Sequence, residues 1–123
     1  MRCLGVRGAT TVADNTRVAI LAATRELLTE IVTVNRIAPE DVASVIFSAT
    51  PDLDTAYPAL AARELGWTQT PLLCMQEMQV VDSLRRCIRV LVLWNTEHAP
   101  DEVQHVYLRG AQALRPDLIG EKR

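Results

Sequence analysis

The chain has 123 residues, 49% hydrophobic and 23% charged, with 13 Lys and Arg against 15 Asp and Glu for a formal net charge of −2. That length suits one core but not two, so residues 1–123 are expected to form a single domain. The weak negative charge gives no field for nucleic acid or an anionic membrane. No apolar run nears the roughly 18 residues of a membrane span, and no leader-like N-terminus is visible, so the expected location is the cytoplasm.

Met1 to Val6 reads as a short strand, closed by the Arg7-Gly8 step and the polar Thr10-Thr11. Asp14, Asn15 and Thr16 then offer capping oxygens, and Val18, Leu21, Leu28, Ile31, Val32 and Asn35 recur at the spacing of one helix face. That face must pack on a sheet. Ala38-Pro39-Glu40-Asp41 breaks the chain before a second strand over Val42 to Thr50, which Pro51-Asp52 ends. Pro58 suits the first turn of a helix running to Leu65, with Gly66 as its stop and Tyr57 at its entrance. Leu72 to Met75 and Ile88 to Trp94 are further strands, with a helical turn expected between them over Asp82-Ser83-Leu84-Arg85-Arg86. His105 to Leu108 gives a fifth strand. Strands alternating with helices predict an α+β domain, a small mixed β-sheet with two main helices.

Within this pattern Arg89 interrupts an otherwise apolar strand. A guanidinium there must face solvent, a carboxylate or a bound anion, because burying it unpaired costs several kcal/mol or more. Glu77 is the near candidate partner, and Cys74 adds a thiol in the same region. The strand is apolar on both faces apart from Arg89, so it calls for cover on both sides. Two helices barely supply that cover, and burial against copies of the same chain is the expected remedy. Cys3, Cys74 and Cys87 form no Cys-x-x-Cys motif and are expected to be free. His98 and His105 lack ligand spacing and read as surface residues, so no metal is expected. Asp52 and Asp54 read as turn or capping residues, and Arg85-Arg86 as an exposed face.

Several strings fall in one order along the chain: Gly5-Val6-Arg7-Gly8-Ala9-Thr10-Thr11, Ser48-Ala49-Thr50-Pro51-Asp52-Leu53, Cys74-Met75-Gln76-Glu77-Met78 with Cys87-Ile88-Arg89-Val90, His105-Val106-Tyr107-Leu108, and Leu114-Arg115-Pro116-Asp117-Leu118. Together they resemble the monofunctional chorismate mutases of the Bacillus type, from about Cys3 to Leu118. The resemblance implies an isomerase converting chorismate to prephenate without any cofactor. It also implies a homotrimer with a barrel-like core and active sites between subunits. Carried over residue by residue, it makes Arg89 the residue at the breaking carbon–oxygen bond, and pairs Glu77 with Cys74 at the ring hydroxyl. Arg7 and Tyr107 match the positions that grip the side-chain carboxylate. Tyr57, Leu72, Leu73 and Leu114 match apolar and rim contacts, and Arg63 and Arg115 match peripheral cations. About 116–123 would be a flexible tail.

The sequence departs from that pattern at the rim. Tyr57 stands where Phe is expected, Leu60 where Lys is frequent, and Leu73 where Thr is common. These changes bear on affinity and leave Arg7, Cys74, Glu77, Arg89 and Tyr107 in place. Two other readings compete: a non-catalytic trimeric module that binds small anionic metabolites, and a thiol enzyme built on Cys74. The joint presence of Glu77 and Arg89 speaks against the first, and the lack of a histidine at a recognisable spacing from Cys74 against the second.

Overall fold

The computed structural model describes residues 1–114. The order of elements is β1 (Arg2–Thr11), α1 (Arg17–Asn35), β2 (Val42–Ala49), α2 (Ala59–Glu64), β3 (Leu72–Gln76), β4 (Cys87–Thr96) and β5 (Val106–Tyr107). Short 3₁₀ turns at Pro39–Asp41, Pro100–Glu102 and Arg109–Leu114 complete it. The strands form one mixed sheet in the order β3-β2-β4-β1-β5, so the domain is α+β as predicted. β4 runs antiparallel to both β1 and β2, while β3 is parallel to β2 and β5 parallel to β1.

Helix α1 begins where its capping residues place it: the Thr16 hydroxyl accepts from the Ala19 amide at 3.1 Å. It ends at Arg36, whose left-handed φ of 56° turns the chain out of the helix. Leu27, Leu28 and Ile31 are fully buried and meet Val6, Val45, Phe47, Val90 and Val92 on the sheet. Each such side chain contributes about 1.5–3 kcal/mol through burial. Val18 does not join them. It is 80% exposed, because the buried stripe starts instead at Ile20 and Leu21.

The first strand is longer than its sequence suggests, running through Thr11 in a ladder with β4 from Arg2↔Thr96 to Thr11↔Cys87. Gly8 is no stop. A Cβ at Gly8 would meet Ile31 Cδ1 at 2.6 Å and Val90 Cγ1 at 3.0 Å, so the missing side chain lets α1 approach the sheet. Gly8→Ala is therefore expected to lower the unfolding free energy by about 1–3 kcal/mol in urea titration, the usual scale of overpacking. An unchanged midpoint would show that Ile31 moves aside at no cost.

The segment before β4 also differs from expectation. Asp82 and Arg86 adopt left-handed φ of 67° and 46°, which excludes the helical turn predicted there. Asp52 fixes the segment instead, accepting from the Arg86 amide at 3.0 and 3.1 Å and from the Thr50 hydroxyl at 2.5 Å. At the other side of the sheet Asn35 is buried and ties α1 to the approach to β5. Its Nδ2 donates to the Gln104 carbonyl at 2.9 Å and its Oδ1 accepts from the Gln104 amide at 2.8 Å. Among the described residues no helix is long and apolar enough to cross a membrane.

Candidate active site

The strand pairing decides which side chains can meet, because residues directly opposite share a face. Phe47 stands between Cys74 and Val90, and all three face the helices. One residue on, Ser48 stands between Met75 and Arg89 on the opposite face. Arg7 is opposite Leu91, and Ala9 lies between Arg89 and Tyr107, on that same face. No helix covers it. Leu73 and Met75 are exposed there, and Ile46, Leu91 and Leu93 are only partly buried.

The open face carries most of the predicted polar chemistry. Arg7, Ser48, Arg89 and Tyr107 line a depression of about 250 Å³ with Ile46 and Leu91 as its apolar wall. Arg89 Nε lies 3.5 Å from Glu77 Oε1, which also accepts from the Ser48 hydroxyl at 2.6 Å. The pair is the one predicted for these residues. With side chains 45% and 26% exposed, it contributes at most about 1 kcal/mol to stability, too little to explain a guanidinium held in an apolar strand. Arg7 is exposed, and no carboxylate pairs with its guanidinium among the described residues.

His105 proves to be more than a surface residue. It is half-buried, and its Nδ1 accepts from the Arg7 amide at 2.9 Å, which fixes the β1–β5 edge beside Tyr107. His98 remains exposed, its ring tilted 37° to that of Trp94 at 5.4 Å and its Nδ1 3.5 Å from Glu102. Ser48 was not singled out by its sequence, yet it holds Glu77. Only the register of β2 against β4 reveals it.

The remaining candidates gather elsewhere. At the carboxyl ends of the parallel strands β2 and β3, a cleft of about 520 Å³ is lined by Tyr57, Leu60, Cys74 and Met75, with Arg17 and Asp54. Ligands commonly bind at this end of parallel strands. Burial pushes the Cys74 thiol up, only partly offset by a backbone hydrogen bond at Ala59 and the charge of Arg63. Cys87 is likewise raised, first by burial, against the lowering effect of Arg89. Both thiols stay protonated at neutral pH, the wrong state for a nucleophile. Leu72 packs with the core, Leu73 projects onto the open face, and Arg63 is exposed on α2. Leu114 ends the last 3₁₀ turn, half-buried. Arg115 and the tail over 116–123 lie outside the described residues. Cys3, Cys74 and Cys87 are free. Among the described residues, no three His, Cys, Asp or Glu side chains converge as a metal site needs.

Residues 3–118 match the family model for chorismate mutase type I. The chain belongs to the type I chorismate mutase family. Chorismate mutase AroH of Bacillus subtilis (strain 168) is 48% identical over 119 residues, 96% of this chain and 94% of that one. Chorismate mutase AroH of Thermus thermophilus is 53% identical over 115 residues, 93% of this chain and 94% of its own length. A chorismate mutase structure from Clostridium thermocellum superposes with a TM-score of 0.88 at 49% identity, covering 89% of this chain and 97% of that one. Identity at this level over nearly the whole length brings the type I chorismate mutase fold to every element described above.

Proposed function

We propose that the protein isomerises chorismate to prephenate in the cytoplasm, at clefts between the subunits of a homotrimer. The observation that carries the chemistry is the Arg89–Glu77 pair, set beside Arg7 and Tyr107 on an uncovered sheet face. The reaction is a concerted rearrangement in which a carbon–carbon bond forms as a carbon–oxygen bond breaks. It needs no nucleophile, and the raised Cys74 thiol agrees with that. It needs cations for two carboxylates, a donor at the ether oxygen and a wall that selects the compact conformer. Arg89 supplies the donor at the breaking bond, Glu77 and Cys74 hold the ring hydroxyl, and Arg7 and Tyr107 grip the side-chain carboxylate.

The trimer is supported by how the candidates divide. A pocket that encloses a small ligand usually holds roughly 300–1,000 Å³, and the open-face depression of about 250 Å³ falls short of that range. Cys74, in turn, faces the helices, away from Arg89. Apposed copies would cover the apolar open face and bring the cleft at the edge of one subunit to the cations of another. Three free cysteines, one of them exposed, suit a reducing compartment.

Purified protein is expected to consume chorismate with matching appearance of prephenate, undiminished by a chelator. Saturable binding of chorismate without turnover would overturn the catalytic reading in favour of a non-catalytic anion-binding module.

A further inference from the structure

We propose that Arg17, the first residue of α1, is a substrate-binding cation of the edge cleft, acting on a carboxylate of the incoming dianion. The inference rests on the reading of that cleft as part of the chorismate site. Among the described residues lining the cleft, Arg17 alone is positively charged. Leu60 lines the same cleft and brings no charge where the resemblance calls for Lys. Without Arg17 the lining itself would meet a dianion with Asp54 as its only charged residue, leaving Arg63, whose charge is felt at Cys74, as a cation outside the lining.

Arg17 has no structural occupation to account for it. The carboxylate that shares the cleft, Asp54, is already engaged: its Oδ1 accepts from Asn15 Nδ2 at 2.7 Å and its amide donates to Asn15 Oδ1 at 3.1 Å. The Thr55 hydroxyl adds a second bond to the same Asn15 oxygen at 3.0 Å. Among the described residues no carboxylate pairs with Arg17, and its side chain makes no hydrogen bond. Its position opposes helix stability, since a cation in the first turn works against the helix dipole, and α1 has no acidic residue there to offset it. The charge is thus held where it weakens the helix, unpaired, facing a concave site beside Tyr57 and Cys74. A role in ligand binding accounts for all of these together.

The ion pair forms with the substrate before chemistry and persists through it, so its loss falls on KM and leaves kcat nearly unchanged. Arg17→Gln is expected to raise KM for chorismate roughly three- to five-fold, the scale of a solvent-exposed ion pair, and Arg17→Glu roughly ten-fold. Arg17→Glu also places an acidic residue at the helix start, so its thermal midpoint is expected to hold or rise while KM worsens. A merely structural Arg17 would not separate the two. Arg25 is the control for net charge: it lies on the same helix, is exposed, and sits 3.7 Å from Glu64 outside the cleft. Arg25→Gln is expected to leave KM as it is. Normal KM in both Arg17 variants, or an equal rise in Arg25→Gln, would overturn the inference alone. No chorismate turnover by the unaltered protein would overturn the underlying reading and the inference with it.

Discussion

Replacing Arg89 with its neutral isostere citrulline is expected to lower kcat for chorismate by about 10²–10³, with a much smaller change in KM. Negative charge at the ether oxygen grows only as the bond breaks, so the guanidinium acts more strongly on the transition state than on the bound substrate. Citrulline keeps the shape and most of the donors while deleting the charge. The substitution also removes the attraction to Glu77, yet Glu77 keeps its hydrogen bond from Ser48 and should hold its place. Because the Arg89–Glu77 contact is half exposed, thermal stability should move little. Near-normal kcat in a folded citrulline variant would make Arg89 a structural residue and remove the centre of the mechanism.

Leu93→Glu is expected to abolish both assembly and activity while leaving the fold of the subunit intact. Leu93 lies opposite Gly5 and Ser44 on the uncovered face, away from the depression that holds Arg89 and Tyr107. A carboxylate there would be buried unpaired if copies close over that face, at a cost of several kcal/mol per subunit. The helix-side core of Leu27, Ile31, Phe47 and Val92 is untouched, so far-UV circular dichroism should keep its native form. Sedimentation equilibrium checks the outcome: a trimer for the unaltered protein, a monomer for the variant. A stable, active monomer of the unaltered protein would sink the intersubunit site.

Much of the architecture was legible because it is written locally. The capping run before Arg17 and the periodic apolar residues up to Asn35 predict α1 within a residue or two, and Pro51 and Gly66 mark real ends of elements. Arg89 stands out as a charge in an apolar strand, and the cost of burying it alone leaves solvent, Glu77 or a bound anion to satisfy it; the fold supplies Glu77 and partial exposure. What escaped depends on contacts between distant segments. Gly8 read as a breaker because nothing nearby in the chain announces Ile31 above it. The turn over Asp82–Arg86 looked helical by composition, but Asp52, far back in the sequence, holds its end in another shape. Cys74 seemed a close neighbour of Arg89 until strand pairing sent the two to opposite faces. His105 looked like a surface residue until β5 was set against β1.

The close seat of Ile31 on Gly8 also acts as a check against misfolding. β1 and β4 pair over ten positions, long enough for a shifted alignment to keep many of its backbone bonds. A slip by one residue would turn every side chain of β1 over, sending Arg7 toward the core and Val6 to the outside. Under α1 that error carries a penalty, since Arg7 or Ala9 would enter a space in which even one added carbon lies 2.6 Å from Ile31. A mispaired ribbon therefore docks its helix less favourably than the aligned one. The glycine beside Arg7 thus favours the alignment that keeps Arg7 on the open face.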